Sequence, residues 1–374
     1  MDPKTIKFVI NPEREVLEDA KEYLVAPIDS IHFSYDALRL KPTKSFQRRL
    51  FLLALSDDRP LGLLEAAIGF RDLFGIKYSQ IQIGSLMGPG LALGQSSAEN
   101  LTHLTEMLNV LDRLTFQIGK GTATLISLHL SPSLAERIGW TLKGLGFAPS
   151  ICQTPILELA KNKHSMLRQI PKKRRNSIRQ AMKRRVNIVS LEGNTAQGVF
   201  LSLKKVEAFQ KKSNPLLDSV HYKNLALAQD MGMMKLWFAK VGSKYCGAIG
   251  VWTLGKTLGY SIGAMDRRFQ THRPMDALLW RAIEWGIEEG FQTFNMLGVG
   301  KNPKGELDGI GKYKMSFGAK MRTIISFSGL SLASPFLPNK LRKMPNFLFI
   351  LRSRNAISHL FEYQMIDNSC EIHK

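Results

Sequence analysis

The alternation of apolar and polar residues predicts short strands and amphipathic helices in a repeated order along the chain. In the first half, the predicted strands are 50–56, 61–70, 76–84, 122–130 and 151–159, and the predicted helices are 96–119 and 133–146. Ser96 and Glu99 have the spacing of a capping box at the start of the longer helix, and Gly119 marks its end. The first half is therefore expected to combine a three-stranded meander with helices and two further strands.

The second half shows the same order of elements. Strands are predicted at 235–241, 245–254 and 257–265, then a helix at 276–290 with Asp276 as its N-cap and Gly290 as its stop signal, then a strand at 293–299. Turn residues separate the strands at corresponding places in the two halves. We interpret the chain as two copies of one α+β module, each a mixed sheet flanked by helices.

A strongly basic segment separates the two halves. Between positions 159 and 191 the sequence has eleven Lys or Arg residues and no Asp or Glu. A helix is predicted over 171–185, with Lys172, Arg175, Arg179 and Lys183 on one face. Like charges on one helix repel each other, which favours an anionic partner such as a phosphate or a nucleic acid. A solvated charged face and a nuclear-localisation signal are the two alternatives.

The chain as a whole is also cationic. Its 374 residues include 52 Lys or Arg and 31 Asp or Glu, which gives a net charge of +21. An excess of this size favours polyanionic partners, namely RNA, phosphorylated ligands or an anionic membrane face. Charge alone does not choose among these three classes.

Cysteine usage and hydropathy indicate the compartment. Cys152, Cys246 and Cys370 are far apart and have no CxxC spacing, which argues against a zinc site and a disulfide framework and favours a reducing setting. We expect no signal peptide, because the first residues lack an apolar segment flanked by positive charge. No uninterrupted apolar run is long enough to predict a membrane-spanning helix. A cytoplasmic location is expected, with attachment to the inner face of the membrane as the alternative.

The C-terminal segment is punctuated by proline and then becomes basic and amphipathic. Its large apolar residues are Phe347, Phe349, Ile350, Ile357 and Leu360. Packing of these side chains on the second module is the first expectation. A membrane-surface helix over 346–363 and a helix that binds a partner protein are the alternatives.

A glycine-rich, cationic segment, GIGKYKMSFGAK at 309–320, follows the last predicted strand. The sequence predicts a loop here, in which Gly309 and Gly311 free the backbone and Lys312 and Lys314 lie close together. A lysine at a reacting carbonyl can stabilise an oxyanion, and lysines also pair with phosphates or carboxylates. A solvated loop without a ligand is the alternative.

A second cationic turn precedes the helix that is predicted to begin near Asp276. Arg267, Arg268 and Arg273 lie in this turn. The N-terminus of a helix has free N–H groups, and with adjacent arginines it is a natural anion site. An ordinary strand-to-helix loop with exposed arginines is the alternative.

Five segments together resemble the FemAB-type transferases and their GNAT-related acyltransferase relatives. In chain order they are SLMGPGL, LKGLGFAPSICQTPILEL, IPKKRRNSIRQAMKRRV, PMDALLWRAIEWGIEEGFQTFNMLGVG and GIGKYKMSFGAK. The last resembles the family pattern G-I-x-x-F-K-x-x-F-G. The resemblance implies two tandem GNAT-like modules at 1–165 and 191–330, a basic linker helix at 166–190 and a C-terminal extension at 331–374.

The resemblance also implies site residues. Lys314 and Tyr313 match the family's F-K pair, so the lysine is expected near the acyl-transfer centre and the tyrosine near the end of the donor. Together with the cationic residues described above, the expected donor-binding set is Arg174, Arg175, Arg179, Lys183, Arg267, Arg268, Lys312, Phe317 and Gly318. Asn295 stands where the family often carries an Asp.

Two functions of different classes follow. The first is an N-acyltransferase that moves an acyl or aminoacyl group from aminoacyl-tRNA or acyl-CoA to an amine of a cell-envelope or other small acceptor. No metal and no bound cofactor is expected, because positioning and oxyanion stabilisation supply most of this catalysis. The second is a non-catalytic protein that binds nucleic acid or a membrane surface on a transferase-like scaffold.

Overall fold

A computed structural model describes most of the chain. The described residues are 7–24, 48–56, 59–73, 76–84, 91–93, 104–108, 110–111, 124–130, 132–144, 146–212, 219–300 and 305–331. They divide into two compact units. Unit 1 takes the described residues up to Cys152 and those from Thr323 onward, and unit 2 takes those from Gln153 to Arg322.

Unit 1 is built on a mixed sheet. Its elements are β1 (Lys7–Ile10), α1 (Arg14–Tyr23), β2 (Arg48–Ser56), β3 (Arg59–Leu73), β4 (Ile76–Ile83), β5 (Leu91–Leu93), β6 (Thr124–Leu130), α2 (Pro132–Gly144), the start of β7 (Ala148–Glu158) and the end of β13 (Lys320–Ser331). The strand order is β1-β2-β3-β4-β6-β13, with β5 also paired to β3. Strands β4 and β6 are parallel, and the other pairs are antiparallel.

Both faces of the unit 1 sheet carry apolar cores. Leu52 and Phe51 are consecutive residues of β2, so their side chains lie on opposite faces. Leu52 belongs to a cluster that includes Ile126 and Phe327, together with residues of α2 and of the helical segment within 104–111. Phe51 belongs to a second cluster, which buries Leu17 of α1. The amphipathic α1 is therefore held by one face of the sheet.

Unit 2 has the same plan. After the end of β7, its elements are α3 (Lys163–Gln169), α4 (Lys172–Lys183), β8 (Asn187–Val189), α5 (Gly193–Lys211), α6 (Ser219–Asp230), β9 (Met234–Val241), β10 (Lys244–Leu254), β11 (Thr257–Met265), a 3₁₀ helix (Arg267–His272), α7 (Pro274–Glu288), β12 (Thr293–Asn295), α8 (Gly309–Met315) and the first residues of β13. The strand order is β7-β12-β11-β10-β9-β8, and β11 and β12 are parallel.

Helices cover both faces of the unit 2 sheet. On one face, Ile178 of α4 and Leu278 of α7 pack in a cluster with Trp237 of β9. On the other face, Phe238 of the same strand meets Phe200 of α5 edge to face, at 6.0 Å between ring centroids. The alternation of Trp237 and Phe238 along β9 thus places α4 and α7 on one side and α5 on the other.

The repeated order predicted from the sequence is confirmed. In each unit an antiparallel three-stranded meander, β2–β4 or β9–β11, precedes a strand parallel to its third member, β6 or β12. A helical segment lies between these strands in each unit, within 104–111 in unit 1 and as α7 in unit 2. The caps and ends predicted for the helix at 96–119 lie outside the described residues.

The unit boundaries differ from the predicted ones. The chain enters unit 2 within β7, because Ile156–Glu158 pair with Asn295–Thr293 of β12. It returns to unit 1 within β13, because Ile325–Ser331 pair with β6. The basic helix α4 is part of unit 2 rather than a linker, since Ile178 and Ala181 are fully buried.

Two local predictions need correction. The segment 309–320 was expected to be a loop, but Gly309–Met315 form α8, because the Asp308 carboxylate accepts a hydrogen bond from the Gly311 N–H at 2.6 Å and caps the helix. Helix α7 begins at Pro274 and not at Asp276, because Pro274 fits the first helical position. The predicted extension beyond 331, including the membrane-contact segment 346–363, lies outside the described residues.

Candidate active site

Strands β11 and β12 diverge soon after they start. Thr257–Gly259 of β11 pair with Thr293–Asn295, while β11 continues to Met265. Among the described residues, 261–265 have no strand partner on the β12 side. The N–H and C=O groups of such an edge can pair with the amide groups of an extended ligand. The divergence therefore creates a candidate site for a donor with a chain of amides.

A β-bulge shapes this open edge. Tyr260 is paired with Val251 of β10 and Ile262 with Gly250, so Ser261 is the extra residue. A bulge bends its strand and redirects the side chains beside it. As a result the Tyr260 hydroxyl lies against Gly263, where a Cβ would come within 2.2 Å of the hydroxyl oxygen. The absence of a side chain at Gly263 makes room for the tyrosine.

Asn295 fixes the segment that leaves β12. Its side-chain oxygen accepts a hydrogen bond from the Thr154 hydroxyl at 2.6 Å and another from the Leu297 N–H at 2.8 Å. Leu297 has a φ of 55°, a left-handed conformation that a branched residue rarely adopts. An aspartate at this position would accept the same two bonds, so the asparagine supplies an equivalent acceptor oxygen.

Lys314, a residue of α8, also holds the segment that leaves β12. Its side chain is 1% exposed, and Nζ donates to the carbonyl oxygens of Gly298 at 2.6 Å and Leu297 at 3.4 Å. Nζ also lies 5.5 Å from the centroid of the Tyr260 ring. The ammonium group thus ties α8 to the diverging strand, behind the open edge of β11.

Arg174 connects three helices beside this edge. Its guanidinium forms a short ion pair with Asp276 in the first turn of α7, and its Nε donates to the Ser316 hydroxyl at 2.8 Å. The guanidinium carbon lies 4.4 Å from the ring centroid of Tyr313 and 4.9 Å from that of Phe317, within the range of cation–π attraction. Burial raises the pKa of Asp276, although Arg174 opposes this shift.

The Tyr313 hydroxyl is buried next to this ion pair. Among the described residues it has no hydrogen-bond partner. Burial raises the pKa of Tyr313 well above its usual value, and the Asp276 carboxylate adds to the effect. The phenol therefore keeps its proton at neutral pH, and a buried hydroxyl without a partner is able to serve a ligand.

The turn before α7 is built around Asp266. This carboxylate accepts hydrogen bonds from the Arg268 side chain, at 2.6 Å from Nη2, and from the Gln210 amide at 2.7 Å. The bond from Arg268 lowers the pKa of Asp266 to about 2. The Arg267 N–H donates to the Gln210 side-chain oxygen at 2.7 Å. The turn is therefore attached to the C-terminal end of α5.

The other end of the turn is attached to α4. Arg273 has a φ of 58°, and its guanidinium donates to the Gln180 side-chain oxygen at 2.8 Å and to the Ser177 hydroxyl at 3.1 Å. These bonds join the arginine-rich turn to the basic helix. The basic helix and the arginine-rich turn are thus neighbours in the fold.

The predicted site residues fall into two groups. Arg174, Tyr313, Lys314 and Phe317 lie together around the ends of α4, α7 and α8. The remaining predicted residues do not join that group: Arg179, Lys183, Arg267, Arg268 and Lys312 are exposed, Arg175 is partly buried, and Gly318 has a φ of 91° in the turn after α8. Arg268 is bound to Asp266, and Lys312 lies 3.9 Å from Glu306.

Several residues of the site were missed by the sequence analysis. Tyr260 and Gly263 depend on a bulge that the alternation of residues does not indicate. Ser316 was inside a recognised segment but carried no chemical signal. Asp276 was interpreted as a helix cap, and its position within one turn of an arginine-rich segment was the available clue to an ion pair.

Known proteins are similar to this chain in sequence pattern and in fold. Residues 172–315 match the family model described as "Acetyltransferase (GNAT) domain". This part of the chain is similar to a GNAT domain. The match covers β8–β12, the basic helix α4 and α8, so it includes every residue of the site except Thr154, Ser316 and Phe317.

Solved structures extend the likeness to most of the chain. The structure of FemX is similar with a TM-score of 0.62 and 14% identity, over 83% of this chain and 95% of that one. A tandem GNAT protein from the clavulanic acid biosynthesis pathway is similar with a TM-score of 0.57 and 11% identity, over 87% and 98%. L-PGS from Bacillus licheniformis is similar with a TM-score of 0.52 and 12% identity, over 85% and 91%.

These likenesses confirm the fold predicted from the sequence, a tandem arrangement of GNAT modules, and the GNAT match confirms the acyltransferase class. A search of curated protein sequences found no significant match. Among the described residues, no group of three or more His, Cys, Asp or Glu side chains is placed to hold a metal ion. In the same part of the chain, no helix has both the length and the apolar character needed to cross a bilayer.

Proposed function

We propose that this acyltransferase binds its donor along the open edge of β11 and transfers the acyl group to an amine. The proposal rests on one observation. Strand β11 diverges from β12 within the part of the chain that matches the GNAT model. Backbone groups of 261–265 pair with the extended part of the donor. The reacting carbonyl then lies near Tyr260 and Tyr313, where the bulge and the buried hydroxyl are found.

The reaction needs a nucleophile, a stabilised oxyanion and a protonated leaving group. The neutral acceptor amine attacks the donor carbonyl, and the C–N bond forms as the bond to the leaving sulfur or oxygen breaks. Backbone N–H groups of the β11 edge stabilise the oxyanion. Tyr313 gives its proton to the leaving group, and the proton lost by the amine restores the phenol through solvent.

Lys314 has a positioning role in this proposal. Its ammonium donates to the Gly298 and Leu297 carbonyls, so it fixes the divergence of β12 rather than contacting the reacting carbonyl. Arg174 is likewise engaged with Asp276, and it holds the ring of Tyr313 in place. The donor phosphates bind exposed cations instead, which include Arg267 in the turn and Arg179 and Lys183 on α4.

Aminoacyl-tRNA and acyl-CoA both fit this description. Each has a phosphate-rich nucleotide end and an activated carbonyl, and the net charge of +21 favours the larger polyanion. The likeness to FemX and L-PGS supports an acceptor amine from the cell envelope. A cytoplasmic enzyme working at the inner face of the membrane would meet both substrates.

Thermal unfolding with each donor class tests the choice. A ligand that binds only the native state raises the unfolding temperature, so acyl-CoA or charged tRNA should do so, and only one of the two. Transfer of a labelled acyl group to amines then identifies the acceptor. Tyr313→Phe should lower kcat by about 100-fold or more if the phenol protonates the leaving group. Lys312→Gln, an exposed neighbour on α8, is the matched control.

Two results would reject the proposal. One is a Tyr313→Phe enzyme with unchanged kcat, which would remove the proton-donor role. The other is salt-dependent binding of uncharged tRNA with no transfer from any donor, which would support the non-catalytic alternative.

A further inference from the structure

One aromatic residue in unit 2 has no packing role. Phe209 lies in the last turn of α5 and is 86% exposed. The face of α5 that packs on the sheet consists of other residues, Ala196, Phe200, Leu203 and Ala208, all buried. Exposure of a phenyl ring to water is unfavourable by about 1.5–3 kcal/mol relative to burial, so the ring at this position suggests a ligand.

Three cationic residues lie near Phe209, two by their position on or just after α5 and one through a bond to the neighbouring residue. Lys205 is one turn earlier on α5, and Lys212 follows the helix in a left-handed conformation with a φ of 54°. Arg267 is brought alongside by the bond from its N–H to Gln210, the residue next to Phe209. We call Lys205, Phe209, Lys212 and Arg267 the Phe209 surface.

The cations of the Phe209 surface are available to an anion. Among the described residues, none of the three is ion-paired with a carboxylate. Nearby cations differ in this respect: Lys204 and Lys211 share Glu207, and Arg268 is paired with Asp266. Glu207 and Asp266 therefore neutralise these nearby cations, and the Phe209 surface keeps its positive charge.

We propose that the Phe209 surface binds a nucleotide of the acyl donor. The phenyl ring stacks on the base, and Lys205, Lys212 and Arg267 bind the adjoining phosphates. A base has a flat face that stacks on an exposed aromatic side chain, and proteins that bind single-stranded nucleic acids combine such stacking with cations that contact the phosphates. The inference rests on the proposed function and adds the place where the nucleotide end of the donor is held.

A lipid surface fits these residues less well. Interfacial helices insert several large apolar side chains on one face. On α5 the exposed positions that precede Phe209 on the same face are Gly198, Ser202 and Lys205, which offer no second apolar group. A single ring among cations suits one base and its phosphates.

The same chemistry is present in both candidate donors. Coenzyme A carries an adenosine with phosphates on its 3′ and 5′ oxygens, and aminoacyl-tRNA ends in an adenosine that follows a phosphodiester chain. The two sources are distinguished by separate ligands without an acyl group. Adenosine 3′,5′-bisphosphate represents the first, and uncharged tRNA represents the second.

Equilibrium binding of these two ligands tests the proposal. Purified full-length protein is titrated with each, by calorimetry or by anisotropy of a labelled ligand. For the ligand that binds, Phe209→Ala should weaken binding by about 5-fold to 100-fold, as expected for loss of one stacked base. Phe209→Trp should retain binding. Lys205→Gln with Lys212→Gln should weaken it and reduce its dependence on salt.

Met182→Ala is the matched control, because Met182 is an exposed apolar residue of the basic helix, 54% accessible, and lies outside the Phe209 surface. Because Phe209 is exposed, its replacement should leave the unfolding temperature unchanged. Equal binding by the wild type and Phe209→Ala would overturn the proposal. Loss of binding to anionic vesicles in Phe209→Ala, with nucleotide binding intact, would also overturn it in favour of a membrane contact.

Nucleotide binding and acyl transfer, measured separately, distinguish a failure of this inference from a failure of the proposed function. If Phe209→Ala binds nucleotide normally while the wild type still transfers an acyl group, only the Phe209 surface is rejected. If the wild type binds nucleotide but transfers no acyl group, and Phe209→Ala weakens that binding, the Phe209 surface is supported and the acyl-transfer proposal fails.

Discussion

The guanidinium of Arg174 and the carboxylate of Asp276 form a buried ion pair between residues 102 positions apart in the chain. Arg174 comes from the basic helix α4, and Asp276 from the first turn of α7. The same guanidinium covers the Tyr313 ring on α8. Three sequence segments that suggested ligand binding are therefore bound to one another, and they hold the tyrosine that we propose as the proton donor.

Removal of Arg174 should destabilise unit 2 strongly. Arg174→Gln leaves the Asp276 carboxylate buried without its partner, which typically costs about 3–5 kcal/mol. Urea unfolding should show this loss in the free energy of unfolding, whereas Arg179→Gln, at an exposed position of the same helix, should change it by less than about 0.5 kcal/mol. Equal effects of the two substitutions would mean that the ion pair does not hold the helices.

Asp266 should make stability depend on pH in the acid range. Its folded pKa of about 2 lies below its ordinary value of 3.8, so its ionised form stabilises the folded state. This contribution is complete above pH 3.8 and is lost as the pH falls toward 2. In Arg268→Gln the pKa of Asp266 should rise, because the largest cause of the shift is removed.

The measurement for Asp266 is the free energy of unfolding at several pH values between 2 and 5. Arg268→Gln should show a shallower loss of stability on acidification than the wild type. Arg267→Gln, whose backbone rather than side chain joins the turn to Gln210, should keep the wild-type slope. A wild-type slope in both variants would show that Arg268 does not set this pKa.

Lys314 and Lys312 should respond differently to the same substitution. Lys314→Met removes the charged donor to the Gly298 carbonyl, and hydrogen bonds to charged groups contribute about 1.5–3 kcal/mol. Lys312 is 65% exposed, so Lys312→Met should have little effect on stability. Thermal unfolding of both variants checks the difference. A stable Lys314→Met enzyme with a greatly lowered kcat would instead place this ammonium at the reacting carbonyl.

The sequence predicts the elements of this fold better than it predicts the roles of the site residues. Strand and helix order follows from local alternation, which is why the two meanders were recovered. The buried position of the Arg174 side chain, by contrast, depends on its ion pair with Asp276, which is distant in sequence. Basic residues on a helix give no local sign of which one has a buried partner.

Helix α8 shows a second limit of local patterns. Its seven residues include Gly309 and Gly311, and glycine is unfavourable in helices. The helix forms because Asp308 caps it and because Lys314 is buried against the segment after β12. The prediction of a loop rested on the two glycines and did not include Asp308.

The fit between Tyr260 and Gly263 should appear as a coupling between two substitutions. A Cβ at position 263 would lie 2.2 Å from the Tyr260 hydroxyl oxygen and 3.1 Å from Cε of Met275. Gly263→Ala should therefore displace the tyrosine and lower the free energy of unfolding by about 1–3 kcal/mol. Gly198→Ala is the control, since a Cβ there meets nothing within 4 Å and helices favour alanine by about 1 kcal/mol.

The double variant decides whether the hydroxyl is the cause. Tyr260→Phe removes the atom in the closest contact, so Gly263→Ala should cost less in that background than in the wild type. Urea unfolding of the four proteins gives the coupling energy. Donor binding should follow the same pattern, because Tyr260 is next to the open edge of β11. Additive costs would show that Met275 or the backbone, and not the tyrosine, requires glycine at this position.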